Sequence, residues 1–353
     1  MAPSTATVTK IAAKLNKTAG PDNSRLNTRV LLVVPTLNEQ STIKACLNSL
    51  MQDPKLQDRS EVMIVVADGG STDATVAVVT SIAKDAACRI AVLDNTHRIQ
   101  SAGINLAVET YGAEFDVLLR CDAHAVYPAR FVTQLLQVWD AQDRPASVVV
   151  PMDSQGRTAF ARAAAWVVDT PLGSGGSAHR GGRQSGYVDH GHHALMDLSW
   201  FRSVGGYDAD FSHNEDAELD HRISGAGGRI WLAADVRLGY IMRDTAAGLW
   251  RQYFNYGKGR ARMLLKHRAR PRLRQMAPVL NLFLCCVSLC ASLLWPIAAM
   301  WVAVYGAVLL IASLCGLLNL GRDGLWAGLA AGIMHMAWAL GVLRIALIEW
   351  GKR

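Results

Sequence analysis

The sequence predicts a doubly wound, mostly parallel α/β sheet with carboxylates at its strand ends, followed by a C-terminal α-helical transmembrane region. Three observations carry that expectation. Apolar runs alternate with helix-like stretches four times from residue 30 onward, acidic clusters punctuate the chain at 68–73, 122 and 214–222, and residues 276–350 hold only four charges, Arg322, Asp323, Arg344 and Glu349. Repeated β-α alternation is the signature of a parallel sheet covered by helices on both faces.

The elements follow in order. Residues 1–27 lack the long apolar core of a secretory signal, with only a weakly amphipathic turn around Ile11 to Lys17, and are expected to form a flexible arm. Val30 to Pro35 is a continuous apolar run closed by proline, the form of a strand buried on both faces. The helix that starts near Ser41 places Ile43, Leu47 and Leu50 on one face. Glu61 to Ala67 repeats the strand, Asp68-Gly69-Gly70-Ser71-Thr72-Asp73 the turn, and Ala74 to Lys84 the helix. A third strand, Arg89 to Leu93, leads through Asn95 and Arg98 to a helix over Ser101 to Thr110; a fourth, Phe115 to Leu119, ends at Arg120-Cys121-Asp122. In open sheets of this kind ligands bind beyond the carboxyl ends of the strands, so Glu39, Asp68, Arg98 and Asp122 should share one crevice.

Beyond residue 141 the pattern loosens. Ala146 to Pro151 reads as a strand, Ala159 to Val168 as a helix, and the glycine-rich stretch Thr170 to Gly186, with His179, Arg180 and Arg183, as a functional or mobile loop. His190, His192 and His193 follow, and Ile230 to Leu232 and Val236 to Leu238 are expected to be edge strands closing the domain near 245.

With 51% hydrophobic residues the chain can bury a large core, and its net charge of +7 is concentrated ahead of the apolar tail. Lys258, Arg260, Arg262, Lys266, Arg268, Arg270, Arg272 and Arg274 make 246–275 a basic interfacial segment facing anionic lipid on the cytoplasmic side. A nucleic-acid partner is set aside, because no nucleic-acid fold signature accompanies the charge. The seven cysteines lack zinc-type spacing and read as reduced, buried residues. Residues 276–320 are uncharged and interrupted by Trp295-Pro296, which fits two spans; Gly324 to Trp350 is either a third or an interfacial helix.

The strand-end acids suit a diphosphate ligand held through a cation. Asp122 and His124, two apart in an extended segment, point to one side and can reach one Mn²⁺ or Mg²⁺, the imidazole favouring Mn²⁺. Asp68 and Asp73 can instead cap the helix that follows them. In the 214–222 cluster Glu218 and Arg222 can pair across one turn, as on any solvated helix face. Asp216, Glu215 or Glu218 can each act as general base there.

Together these motifs resemble the inverting GT-A glycosyltransferases of family 2. Pro35-Thr36-Leu37-Asn38-Glu39, Asp68 to Asp73, the Asp122 motif, Gly205-Gly206-Tyr207-Asp208 and Asn214-Glu215-Asp216 stand in that family's order over residues 28–245. The resemblance implies that Pro35, Glu39 and Asp68 lie against the donor nucleoside, Asp122 and its partner His124 hold the metal and diphosphate, and Asp216 is the base. Arg120 to Pro128, Asn214 to Arg222 and Tyr256-Gly257-Lys258-Gly259-Arg260 look most like the succinoglycan-type bacterial exopolysaccharide glucosyltransferases. That implies transfer of glucose from a UDP-sugar to a polyprenyl-diphosphate-linked oligosaccharide, at the bacterial inner membrane, alongside other polysaccharide-assembly proteins. His124 stands where the wider family has a second aspartate.

Residues 250–260 contain no Gln-x-x-Arg-Trp motif, which favours single transfer over a processive synthase. Arg98 and Arg260 are further donor candidates, Arg260 or Lys258 alternatively meeting the diphosphate of a lipid carrier. His190, His192 and Glu215 are the acceptor candidates. The rival from another class, a non-catalytic nucleotide-binding membrane subunit, would be expected to have lost one of Glu39, Asp68, Asp122 and Asp216.

Overall fold

The computed structural model describes residues 28–57, 60–177 and 182–351. The expected arm over 1–27, and His179 and Arg180 of the glycine-rich stretch, lie outside the described residues.

Strand β1 (Val30–Thr36) is buried except at Pro35, and its side chains alternate between two cores. Val30, Leu32 and Val34 enter one layer with Ile43, Cys46, Leu47 and Leu50 of helix α1 (Ile43–Met51). Strand β2 (Val62–Asp68) is buried throughout, and helix α2 (Thr75–Asp85) leads to β3 (Arg89–Asp94). Helix α3 (Gln100–Tyr111) covers the opposite face, where Ile104, Ala107 and Val108 meet Leu31 and Val33. Each fully buried Leu or Ile on these faces contributes about 1.5–3 kcal/mol. Strand β4 (Val117–Arg120) and helix α4 (Phe131–Ala141) complete the repeat.

Next come β5 (Ser147–Val150), β6 (Met152–Gln155), α5 (Ala159–Val168), the one-turn helix α6 (Pro171–Ser174), β7 (Gly186–Val188) and β8 (His192–Asp197). Helices α7 (Leu198–Ser203) and α8 (Glu215–Gly225) and strands β9 (Ile230–Leu232) and β10 (Leu238–Ile241) finish this part. The large sheet has the order β3-β2-β1-β4-β8-β5-β9-β7. The four β-α units give the expected parallel half.

Two findings differ from expectation. The unforeseen strand β8 runs antiparallel between β4 and β5, pairing Leu119 with Leu195 and Val150 with His192. An antiparallel strand begins where its parallel neighbours end, so His192 and His193 are delivered to the carboxyl ends of the sheet. Strand β9, expected at the edge, is interior: it pairs with β5 on one side and β7 on the other, its three residues being too few to reveal their neighbours. Strand β10 leaves the sheet and pairs with β6.

Four longer helices follow: α9 (Ala246–Lys266), α10 (Leu273–Ser292), α11 (Met300–Leu320) and α12 (Ala327–Trp350). The segments Leu273–Ser292 and Pro296–Glu349 are long and apolar enough to cross a membrane, the second containing both α11 and α12. Leu280, Phe283 and Val287 of α10 and Val304, Leu310 and Leu318 of α11 lie bare on the surface, as hydrocarbon-facing residues would. Helix α12 is different. Its Ala327, Ala330, Ala331, Met334 and Ala337 form a third core with the alanines of α5 and with Leu249 and Tyr253 of α9.

Glycines set how closely α9 approaches its neighbours. A Cβ on Gly257 would stand 2.2 Å from the Trp338 carbonyl oxygen, and one on Gly341 2.2 Å from that of Phe254. On another face of α9, a Cβ on Gly259 would stand 2.4 Å from the His213 carbonyl oxygen, in the loop ahead of α8. Gly257→Val is therefore expected to destabilise the protein by about 1–3 kcal/mol through forced separation of α9 and α12. Thermal melting in detergent checks this, with Gly306→Ala, which meets no atom within 4 Å, as the unchanged control.

Candidate active site

The parallel strands supply the first wall. Thr36, at the end of β1, lies opposite Asp68 at the end of β2. Asp68 is buried, and its Oδ2 accepts from the amides of Gly70 and Ser71 at 3.0 and 2.9 Å, while Oδ1 accepts from the Ser71 hydroxyl. Asp68 thus shapes its own turn. Asp73 does likewise, accepting from the Thr75 amide at 2.9 Å and from Gln40 at 3.2 Å. Gly70, at φ +81°, lets the Arg98 guanidinium lie close: a Cβ there would stand 3.2 Å from it. Glu39 accepts from the Thr42 hydroxyl and turns its other oxygen to His124 Nδ1 at 3.3 Å.

The centre is built on Arg120, the last residue of β4. Its side chain is 6% exposed and ion-pairs with Asp216, while its Nη2 stands 3.7 Å from Asp122 Oδ1 and 3.6 Å from Glu215 Oε1. Gln100, with its amide oriented to satisfy both groups, accepts from Arg120 Nε at 2.5 Å. Arg120 and Asp216 are 96 positions apart in the chain. His192 bridges the same two acids from the other side, with Nε2 at 3.7 Å from Asp122 and Nδ1 at 3.9 Å from Asp216.

Below Asp216 runs a second chain of polar contacts. Its Oδ1 accepts from the Tyr207 hydroxyl at 3.4 Å, Tyr207 meets His193 Nδ1 at 2.6 Å, and His193 Nε2 donates to Asp220 at 2.8 Å. His190 donates to the other oxygen of Asp220 at 2.8 Å. Asn214, in the left-handed region at φ 63°, starts α8 at the angle that aims Asp216 inward, and its side-chain amide donates to the Tyr256 carbonyl of α9.

Burial and charge set the protonation of these groups in opposite directions. For Asp216 burial favours the neutral acid, but Arg120 and then His193 and His192 outweigh it and hold the carboxyl well below the usual range. Asp122 is likewise held low, Arg120, His192 and His124 overcoming burial. Burial and the adjacent Asp216 charge push Glu215 up to about 7. Burial drives His192 down to about 4, so it is a neutral imidazole. His193 is raised, because Asp220 and Asp216 overcome its desolvation.

Glu215 makes stability depend on pH. Its folded pKa lies above the unfolded value, so between about pH 4.5 and 7 the folded chain binds more protons and stability falls as pH rises, by at most about 1.4 kcal/mol per pH unit. Glu215→Gln is expected to remove that fall. Its melting-temperature advantage over the wild type should grow from pH 5 to pH 8, and a constant difference would contradict the assignment.

The donor set suits a divalent cation. Asp122 offers an ionised carboxylate and His192 a free imidazole nitrogen on one side, while His124 and Glu39 stand as a second oxygen-nitrogen pair at the rim. Among the described residues no three such side chains close around an ion by themselves. A cation here would share its remaining positions with ligand oxygens or water.

Of the residues expected at the site, Asp122, Asp216, Glu215 and His192 meet around Arg120. Glu39 and His124 pair at the rim, Asp68 and Arg98 line the neighbouring turn, Pro35 stands opposite Ala67 one residue before the end of β1, and His190 caps Asp220. Arg260 instead belongs with Arg272, Arg274 and Asp220. Sequence reasoning missed Arg120, His193, Tyr207 and Asp220 as a connected set. A charged residue ending an apolar strand was the available signal for Arg120.

Comparison with known proteins agrees with this architecture. The family described as Glycosyl transferase family 2 matches residues 31–205. The chain is 42% identical over 329 residues to "Succinoglycan biosynthesis protein ExoA" of Rhizobium meliloti (strain 1021), covering 93% of this chain and 97% of that protein. It is 22% identical over 243 residues to a dolichyl N-acetyl-alpha-D-glucosaminyl phosphate 3-beta-D-2,3-diacetamido-2,3-dideoxy-beta-D-glucuronosyltransferase of Methanococcus voltae, covering 67% of this chain and 74% of that protein. Among solved structures, the mannosyltransferase PcManGT from Pyrobaculum calidifontis in complex with GDP-Man and Mn²⁺ superposes with a TM-score of 0.56 at 19% identity, covering 97% of this chain and 93% of that one. That likeness shows a common GT-A fold.

Proposed function

Since the chain belongs to glycosyl transferase family 2, we propose that it moves a single hexose, glucose in β linkage, from a UDP-sugar to a polyprenyl-diphosphate-linked oligosaccharide in exopolysaccharide assembly. It does so from the cytoplasmic face of the bacterial inner membrane, anchored by its C-terminal helices. The observation that carries this reading is that Asp122 and Asp216 share one buried guanidinium and flank one neutral imidazole. Such an arrangement can hold a leaving diphosphate and a proton acceptor on either side of a sugar. The likeness to a succinoglycan biosynthesis protein supports the polysaccharide context.

In this reading Glu39, Asp68 and Arg98 frame the nucleoside end of the donor, with Pro35 near the end of the strand beneath. Asp122 and His192, with His124 at the rim, would hold Mn²⁺ or Mg²⁺, which when bound neutralises charge on the departing diphosphate. Asp216 takes the proton of the attacking hydroxyl. Arg120 keeps it ionised yet lowers its basicity, so the proton moves late, once bond formation has made the hydroxyl acidic. Glu215, protonated for part of the time near neutral pH, can donate a hydrogen bond to the acceptor beside His190.

The test incubates membranes containing the full-length protein with separate radiolabelled UDP-sugars and extracted lipid-linked saccharide. The expected product is a lipid-linked saccharide lengthened by one residue from UDP-glucose, lost with chelator and restored by Mn²⁺. A ladder of long products would replace this reading with a processive synthase. Absence of transfer from every donor would leave a nucleotide-binding subunit.

A further inference from the structure

Arg260 lies on α9 directly after Gly259, the residue that seats the loop ahead of Asp216. Its Nε is buried and has no hydrogen-bond partner among the described residues, while Arg274 is exposed and the opposite charge that acts on it is Asp189. The charges that act most on Arg260 are Arg274, Arg272 and, with the opposite sign, Asp220. Asp220 is already committed, accepting from His190 and His193 at 2.8 Å each. Arg272 pairs at 2.6 Å with Asp189, whose side chain is largely exposed. Arg260 is half-buried while Arg272 and Arg274 are exposed, so one guanidinium nitrogen stays desolvated without a partner beside two further positive charges, an arrangement an anion would relieve.

The surroundings narrow the choice of anion. Arg272 and Arg274 flank the start of the 20-residue helix α10, whose N-terminal amides add positive potential at the membrane boundary. Gly175, at φ +59°, lies against the Arg274 side chain: a Cβ there would stand 3.3 Å from Arg274 Cβ. The acid that acts on Arg260 is Asp220, which His190 caps, and Arg272 and Arg274 stand where the apolar helix α10 begins.

We infer that Arg260, Arg272 and Arg274 form a second anion site, which binds the diphosphate headgroup of the polyprenyl carrier while its saccharide reaches toward Asp216. This rests on the acceptor class proposed above, and it separates the carrier's diphosphate from the donor's. Arg260 contacts the phosphate oxygens directly. Arg272 and Arg274 supply charge at the mouth, and the lipid tail leaves along α10 into the bilayer.

The test uses the full-length protein in phosphatidylcholine nanodiscs, measuring binding of a polyprenyl diphosphate and, separately, of UDP-glucose. Arg260→Gln and Arg274→Gln are each expected to weaken the lipid diphosphate about tenfold while leaving UDP-glucose affinity unchanged. Arg260→Lys should recover part of the loss. Three results would overturn the assignment: UDP-glucose binding falls while lipid binding holds, phosphatidylglycerol at the same mole fraction displaces the polyprenyl diphosphate, or neither affinity changes. If Arg260→Gln fails to fold, Arg274→Gln carries the same comparison from a more exposed position. The measurement involves no sugar transfer, so a chain inactive with every donor could still pass it.

Discussion

Asp216→Asn is expected to lower sugar transfer by about a thousandfold while nucleotide-sugar binding survives. The substitution keeps the size of the side chain and its contact with Tyr207, but removes the charge that Arg120 holds in place. Donor affinity should persist, because Asp122, Glu39 and Asp68 are untouched. Single-turnover measurements with saturating donor separate the two effects, and Glu215→Gln provides the necessary contrast. Glu215, raised to about 7, is better matched in basicity to neutral pH than the strongly held Asp216. If Glu215→Gln proves as damaging as Asp216→Asn, and transfer follows a group titrating near 7, the base is Glu215. If only Asp216→Asn is crippling, the tight ion pair with Arg120 is compatible with late proton transfer.

Arg120→Met should be the most disruptive single change to the site. It removes the group that offsets the charges of Asp216, Asp122 and Glu215, leaving acids gathered in a desolvated space without their counter-ion. Breaking a buried ion pair from one side costs about 3–5 kcal/mol. Part of that loss should be recovered at low pH, where the abandoned carboxylates take up protons. Thermal melting from pH 5 to pH 8 therefore reads the effect, the variant's deficit widening as pH rises. Arg120→Lys restores the charge but cannot reach several carboxylates with one planar fork, so it should fold better than the Met variant yet transfer sugar poorly. A pH-independent deficit would mean that Arg120 contributes packing alone.

Much of the parallel half was legible because strands buried on both faces advertise themselves. Val30 to Val34 and Val62 to Ala67 have no polar position, and the turns that follow begin with Asn38 and Asp68. Strand β8 gave no such signal: its apolar run is only Ala194 to Met196, flanked by His192, His193 and Asp197, and its antiparallel insertion is decided by distant partners in β4 and β5. The acids could be named one by one from the sequence, but the group that joins them could not. Arg120 reads locally as a strand terminus, and its meaning lies in contacts with Asp216, Glu215 and Gln100 that no spacing rule encodes. Arg260 was named from its motif as a contact to the diphosphate of donor or lipid carrier, and its one buried, unpartnered nitrogen became visible only in the fold.

Helix α9 is pressed on one face against Trp338 of α12 and on another against His213, just ahead of the acids of α8. Anchor and chemistry consequently have no seam between them: cutting the chain where its composition turns basic would strip away the shelf on which Asn214 hangs its amide. Substitutions on the apolar helices can thus reach the acids of α8 through packing alone, without touching a reactant.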